Sequence, residues 1–84
     1  MALITVVYRG TLAEYVGRRD EQLEAATVAD VLHHIKSSYG KTVYHAAKPM
    51  LIVVNGVSIL QKKVFATTLV DGDVVTFLPL AAGG

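Results

Sequence analysis

The last two residues of the sequence, Gly83 and Gly84, have the clearest potential for chemistry. Glycine has no side chain, so a Gly-Gly end can enter a channel as narrow as a bare backbone and adopt the φ and ψ that the channel demands. What such an end would deliver is the carboxylate of Gly84. A carboxylate is a poor electrophile because it is anionic, so it needs activation, for example as an acyl-adenylate made by a partner with ATP.

The residues before the two glycines fit the same purpose. Pro79 cannot donate to a sheet ladder and helps to end a strand. Ala81 and Ala82 keep the approach slim, and five extended residues reach at most about 17 Å. Two terminal glycines arise by chance in roughly one chain in 200, which argues against an incidental end. We therefore expect residues 80–84 to form an extended, flexible tail that binds inside a partner.

The surface around this tail is expected to contact the partner. Leu60, Leu78 and Leu80 are predicted either to form an exposed apolar patch beside the tail or to close the bottom of the core, because so small a domain has little apolar surface to spare. The predicted partner-binding residues are Leu60, Leu78, Pro79, Leu80, Ala81 and Ala82.

The rest of the sequence offers little to an independent enzyme. It has no cysteine, which excludes disulfides, thiolate metal sites and a cysteine nucleophile on this chain. No phosphate-cradling G-x-G-x-x-G or G-x-x-x-x-G-K-[ST] loop occurs, so the activating machinery must lie elsewhere. His33, His34 and His45 are interpreted as surface histidines and no metal site is expected, while Asp71 and Asp73 are interpreted as turn formers around Gly72.

Size and charge limit the classes of protein that the chain can represent. Its 84 residues fit a single domain, residues 1–84, and the 52% hydrophobic content is enough for one compact core. The formal net charge of +1 does not indicate binding to nucleic acid or to an anionic membrane. Because the N-terminal residues lack the basic region of a signal peptide and the apolar run 50–54 is far too short to span a bilayer, we expect a cytoplasmic protein.

Local patterns predict the secondary structure. Thr27 and Asp30 resemble a capping box at the start of a helix that Gly40 ends. Asn55 and Gly56 suit the turn of a two-residue hairpin. Further strands are predicted at 3–8, 20–25 (an edge) and 74–78, a short helix at 12–16, and a helical turn before Pro49. On the last strand, Val75 and Phe77 share one face, and one face of that strand is expected to be core.

This order of elements predicts an α+β fold. One main helix packs on one face of a mixed sheet, which is the β-grasp, or ubiquitin-like, pattern. The last strand lies in the sheet, and the tail leaves from its end.

The chain resembles the MoaD and ThiS ubiquitin-like sulfur carriers over essentially its whole length. The resemblance is carried by the VNG hairpin at 54–56, the DGD turn at 71–73 and the strand that leads through FLPLAAGG to Gly84. In that family an adenylyltransferase similar to the ubiquitin-activating enzymes adenylates the terminal glycine, using ATP and magnesium. The glycine then becomes a thiocarboxylate that donates sulfur. The resemblance thus implies that Gly84 reacts, with Gly83 as its slim neighbour, and that this chain itself binds no cofactor.

Two features are similar to the MoaD branch of the family. One is the TLAEYVGRRDEQL segment between the first two strands, and the other is the FLPL ending. This branch implies the small subunit of molybdopterin synthase, whose tail enters the large subunit where catalysis resides. Arg9 departs from the apolar residue that related carriers often have there.

Two other functions stay open. A ubiquitin-like modifier would use the same activated Gly84 but transfer it to lysines of target proteins. A non-covalent β-grasp adaptor would carry Gly83 and Gly84 incidentally. The sulfur acceptor also stays open, because a carrier for thiamin or tRNA thiolation would have the same tail.

Overall fold

The computed structural model describes residues 1–79. The chain begins with a strand, two helices and two strands follow one another in its middle, and two single 3-10 turns precede the last strand. The elements are β1 (Ala2–Tyr8), α1 (Thr11–Val16), β2 (Asp20–Ala25), α2 (Val28–Tyr39), α3 (Lys41–Ala47), β3 (Leu51–Val54), β4 (Val57–Ser58), 3-10 turns at Ile59–Gln61 and Val64–Ala66, and β5 (Val74–Leu78).

The strands form one five-stranded mixed sheet in the order β2-β1-β5-β3-β4. β5 occupies the centre, parallel to β1 and antiparallel to β3. β2 pairs with β1 alone and forms an edge, as its charged sequence predicted. This sheet with helices on one face confirms the predicted α+β, β-grasp fold.

The main helix, α2, begins at the predicted capping box. Thr27 Oγ1 accepts a hydrogen bond from the Asp30 amide, and the Asp30 carboxylate accepts from the amide of Thr27 at 3.2 Å. The same carboxylate also accepts from the amide of Ala26. Two of these bonds satisfy amides that the start of a helix leaves unpaired, and the third fixes the residue before the cap.

The hairpin between β3 and β4 has the turn that Asn55-Gly56 predicted. Asn55 has φ 51° and Gly56 has φ 85°, so both central residues lie in the left-handed region that a type I′ turn requires. The Asn55 side chain also donates to Asp73 Oδ1 and accepts from the amide of Val74, both at 2.9 Å. These bonds tie the hairpin to the start of the central strand.

The core lies between the sheet and the helices. Strand residues alternate between buried and more exposed positions, as a sheet with one covered face requires. On β5, Val75 and Phe77 are fully buried, so the face predicted by their alternation is the core face. The largest fully buried side chains are Tyr8, Phe77, Ile4, Leu12, Ile35 and Ile52.

Two elements differ in extent from the sequence-based expectation. The segment before Pro49 forms a seven-residue helix, α3, where only a helical turn was expected. Its buried Val43 and Ala47 pack in the core, and tertiary packing of this kind extends a helix beyond what local signals indicate. β4 is only two residues long, because the chain turns into a 3-10 turn at Ile59.

Candidate functional site

The strand that leads to the tail, β5, is paired with a neighbouring strand on each side. Phe77 pairs with Tyr8 on one side and with Ile52 on the other. Its ring also stacks on Tyr8, with centroids 6.1 Å apart and planes inclined by 26°. The point where the chain leaves the sheet, at Leu78 and Pro79, is therefore fixed by contacts on both sides.

Gly10 contacts the chain at the point where it leaves β5. A Cβ atom at Gly10 would lie 3.1 Å from Cγ of Pro79, closer than real Cβ contacts normally come. Gly10 also has φ 64° and ψ −142°, a backbone conformation that side chains strongly disfavour. Only glycine lets Pro79 pack here without a shift. Sequence reasoning did not identify Gly10 as a site residue, since its partner lies at the far end of the chain.

The sheet face opposite the helices is apolar and carries Leu78. The cross-strand pairs Leu51 with Leu78 and Val53 with Thr76 lie on this face, and Val7 flanks Thr76 from β1. All five side chains are half-buried rather than covered. We call these five residues the outer face. An apolar surface of this kind next to the exit of the tail has the character of a docking surface.

The structure describes two of the three leucines that were predicted to act together, Leu60 and Leu78. Leu78 is half-buried on the outer face, so it is not part of the closed core. Leu60 is 74% exposed, which rules out its alternative role in the core, and it lies in a 3-10 turn beyond β4. The other predicted site residues, Leu80, Ala81, Ala82, Gly83 and Gly84, lie outside the described residues.

A cluster of polar side chains around Glu21 supports Tyr8. Glu21 Oε2 accepts hydrogen bonds from the hydroxyls of Tyr8 at 2.5 Å and Tyr39 at 2.7 Å, and lies 3.2 Å from His34 Nε2. Arg18 lies 3.6 Å from the other carboxylate oxygen. The cluster joins β2, β1 and α2, and through Tyr8 it reaches Phe77 at the root of the tail.

The pKa shifts in this cluster follow from burial and hydrogen bonding. Burial, and then the hydrogen bond to Glu21, raises the pKa of Tyr8 far above its usual value and raises the pKa of Tyr39 as well. For Glu21, burial acts to raise the pKa, but the hydrogen bonds from Tyr8, Tyr39 and His34 together outweigh it and hold the pKa below its usual value. The hydroxyls of Tyr8 and Tyr39 thus stay protonated and Glu21 stays charged, which suits a structural clamp rather than proton transfer.

The other residues weighed for chemistry have structural roles or no visible role. Asp73 accepts from the amide of Val70, three residues earlier, which confirms it as a turn former, whereas Asp71 accepts from the distant amide of Leu3 and so ties the turn to β1. His34 is half-buried and bonded to Glu21, so its interpretation as a plain surface residue was wrong. Its partner is distant in sequence, which local spacing could not reveal.

Within residues 1–79, no three His, Asp or Glu side chains gather as a metal site would require, and no helix has the length and apolar character to cross a membrane.

Comparison with known proteins agrees with this geometry. The sequence model of the ThiS family matches residues 6–84, a range that includes the central strand and both terminal glycines. The chain belongs to the ThiS family. This match confirms the resemblance that the VNG hairpin, the DGD turn and the tail indicated. No curated protein sequence matches this ThiS-family chain.

Solved structures share the fold over nearly all of the chain. Small archaeal modifier protein 1 of Methanosarcina acetivorans is 26% identical, with a TM-score of 0.88 over 100% of this chain and 98% of its own. A putative molybdopterin converting factor, subunit 1, from Pyrococcus furiosus is 25% identical, with a TM-score of 0.68 over 94% and 98%. Mycobacterium tuberculosis CysO is 22% identical, with a TM-score of 0.81 over 93% and 99%, and shows the fold alone.

Proposed function

We propose that this ThiS-family chain carries sulfur as a thiocarboxylate on Gly84, and that it supplies this sulfur for molybdopterin synthesis. The observation that carries the proposal is the course of β5. This central strand is held by β1 and β3 and ends at Leu78, Pro79 then packs against Gly10, and the neutral residues 80–84 follow within the range of the family match. A folded body followed by Leu80 and four slim residues is suited to present a carboxylate to the active site of another protein.

The chemistry belongs to an activating partner that resembles the ubiquitin-activating adenylyltransferases. The Gly84 carboxylate attacks the α-phosphorus of ATP, pyrophosphate leaves, and an acyl-adenylate forms. A sulfide-equivalent nucleophile then attacks the acyl carbon and AMP leaves, so that a carbon–sulfur bond replaces a carbon–oxygen bond. The tail supplies the electrophile, and ATP, magnesium and sulfur come with the partner.

The outer face is suited to hold the chain on these partners. Its half-buried Leu51, Val53 and Leu78 lie on the same strands that fix the exit of the tail. Burying them against a partner would orient the tail toward the partner's active site, and burial of apolar area is the main source of such affinity. Leu78 and Pro79 are therefore proposed as docking residues, with 80–82 passing through the channel.

Two observations favour molybdopterin synthesis as the destination of the sulfur. The first is α1, the short helix between the first two strands that the sequence shares with the MoaD branch. The second is the 25% identity to the Pyrococcus furiosus protein, whose name is putative molybdopterin converting factor, subunit 1. On this proposal the final partner is the large subunit of a molybdopterin synthase.

The likeness to small archaeal modifier protein 1 favours a second candidate function. A protein modifier would use the same activated Gly84, but a lysine amine of a target would attack the acyl carbon and an isopeptide bond would form. The two functions differ only in the nucleophile that meets the activated tail.

Gene replacement in the native host tests these proposals. The gene is exchanged for versions that encode the natural chain, a chain lacking Gly84, or Ser37→Ala, which changes an exposed residue on α2. We expect molybdopterin content to fall to background only in the strain lacking Gly84. Normal molybdopterin in that strain would refute the proposed destination of the sulfur, and loss of isopeptide conjugates instead would establish the modifier function.

A further inference from the structure

Charge is distributed very unevenly along this chain. Between Asp30 and Asp71 the sequence contains five lysines and three histidines but no Asp or Glu. This stretch includes most of α2, all of α3 and both 3-10 turns. The helical side of the molecule therefore has a positive character that the overall net charge of +1 conceals.

Two of these lysines flank a groove between α2 and α3. The ammonium groups of Lys36 and Lys48 lie 5.3 and 5.8 Å from the centroid of the Tyr44 ring. The groove has a volume of about 260 Å³, and Leu32 and Phe65 contribute apolar walls. Among residues 1–79, the ion pairs join Arg18 and His34 to Glu21, so neither lysine of the groove has a carboxylate partner. We call this feature the cationic groove.

An apolar recess adjoins the cationic groove, and Lys48 and Phe65 belong to both. The recess has a volume of about 220 Å³ and a lining that is mostly apolar, with Met50, Ile59 and Leu60 among its residues. That volume is several times the share of a water molecule in the liquid, about 30 Å³, so an apolar side chain fits. Leu60 stands 74% exposed at this recess, although nothing in the fold requires an apolar residue to face water there.

The rim of the apolar recess is also strained. Val64 has φ 54°, which is a genuine outlier for a β-branched residue. The hydroxyl of the buried Thr67 donates to the Val64 carbonyl at 2.7 Å and holds this turn in place. Backbone strain that the surrounding structure maintains is found most often at functional sites. The turn places Val64 in the lining of the recess, between Leu60 and Phe65 in sequence.

From this pairing of cationic groove and apolar recess we infer a second binding surface for an acidic segment of another protein. The segment would place an apolar side chain in the recess beside Leu60 and carboxylates near Lys36 and Lys48. Complementary charge and a walled apolar recess point to a protein segment, since a nucleic acid has no apolar side chain for the recess. The helices lie on the opposite side of the sheet from the outer face. The cationic groove contains no residue of the outer face, and the apolar recess meets that face only at Leu51.

Binding of a defined peptide tests this inference directly. The probe is a fluorescein-labelled peptide of eight residues in which one leucine and one phenylalanine are flanked by glutamates. Fluorescence anisotropy is measured with the full chain and with a chain lacking Gly83 and Gly84. We expect both to bind equally, because the tail takes no part. Substitution of Lys36→Glu with Lys48→Glu should weaken binding at least about tenfold.

Matched variants separate the groove from general charge. Lys41→Glu with Lys62→Glu makes the same change in net charge at exposed lysines outside the cationic groove, and it should change affinity less than about threefold. Leu60→Ser should weaken binding of the same peptide. A second peptide, with serines in place of its leucine and phenylalanine, should bind the natural chain and the Leu60→Ser variant equally. Equal losses in the two charge-reversed pairs would overturn the inference, as would tighter binding of a uridine octanucleotide than of the peptide.

Discussion

Substitution of Gly10 by alanine tests how the body of the protein fixes its tail. The new Cβ would meet Pro79 Cγ at 3.1 Å, and the backbone at Gly10 would be strained by its φ of 64°. Gly40 provides a matched control, because its φ is 98° and a Cβ there would meet nothing within 4 Å. Both alanine variants should lose about 1 to 3 kcal/mol from backbone strain. Gly10→Ala should lose about 1 kcal/mol more, since Pro79 must shift.

The two variants should differ more in function than in stability. Urea unfolding measures the free energy of unfolding, and the rate of sulfur loading is followed with the host's activating enzyme and ATP. We expect Gly40→Ala to load at the natural rate and Gly10→Ala to load several times more slowly, because its tail leaves the sheet at a changed angle. If both variants have the same urea midpoint and both load at the natural rate, contact between Gly10 and Pro79 does not position the tail.

Three further predictions concern the Glu21 cluster, the hairpin and the outer face. Glu21→Gln should cost about 1 to 2 kcal/mol at pH 7, with Glu24→Gln as a neutral control. The folded pKa of Glu21 is depressed, so the difference in unfolding free energy between the natural chain and Glu21→Gln should be complete above the unfolded pKa of about 4.3. It should shrink as the pH falls through the folded pKa. Urea denaturation that shows a difference growing in acid would contradict this prediction. Asn55→Ala removes two hydrogen bonds and replaces a residue that tolerates positive φ, so urea denaturation should show a loss of about 2 kcal/mol in the free energy of unfolding. An unchanged urea midpoint would mean that these side-chain bonds do not tie the hairpin to β5. Leu78→Glu should keep its thermal transition yet bind the activating enzyme more weakly, whereas a collapsed transition would mean that Leu78 belongs to the core.

Features governed by local rules were predictable from the sequence. Thr27 and Asp30 identify the start of α2 because a capping box needs only residues three positions apart. Asn55 and Gly56 identify the hairpin because a type I′ turn needs two residues that tolerate positive φ. These signals, with the alternation along the strands, were enough to predict the β-grasp fold.

Features that join distant parts of the chain were not predictable in this way. Tyr39 and Glu21 have no local relation in the sequence, yet they meet where α2 crosses the edge of the sheet. The need for glycine at position 10 likewise comes from Pro79, which only the completed sheet brings close. For Leu60, sequence pattern could not decide between core and surface, because exposure depends on where the chain turns after β4.

The intact mass of the protein, isolated from its own host without reducing or alkylating agents, tests the central claim most directly. The claim predicts a fraction heavier by the difference between one sulfur and one oxygen atom, with fragmentation placing that difference on Gly84. An unmodified mass throughout, under conditions in which the host makes molybdopterin, would contradict it. Recovery of Gly84 in isopeptide linkage to lysines, without any thiocarboxylate, would show instead that the activated tail modifies proteins.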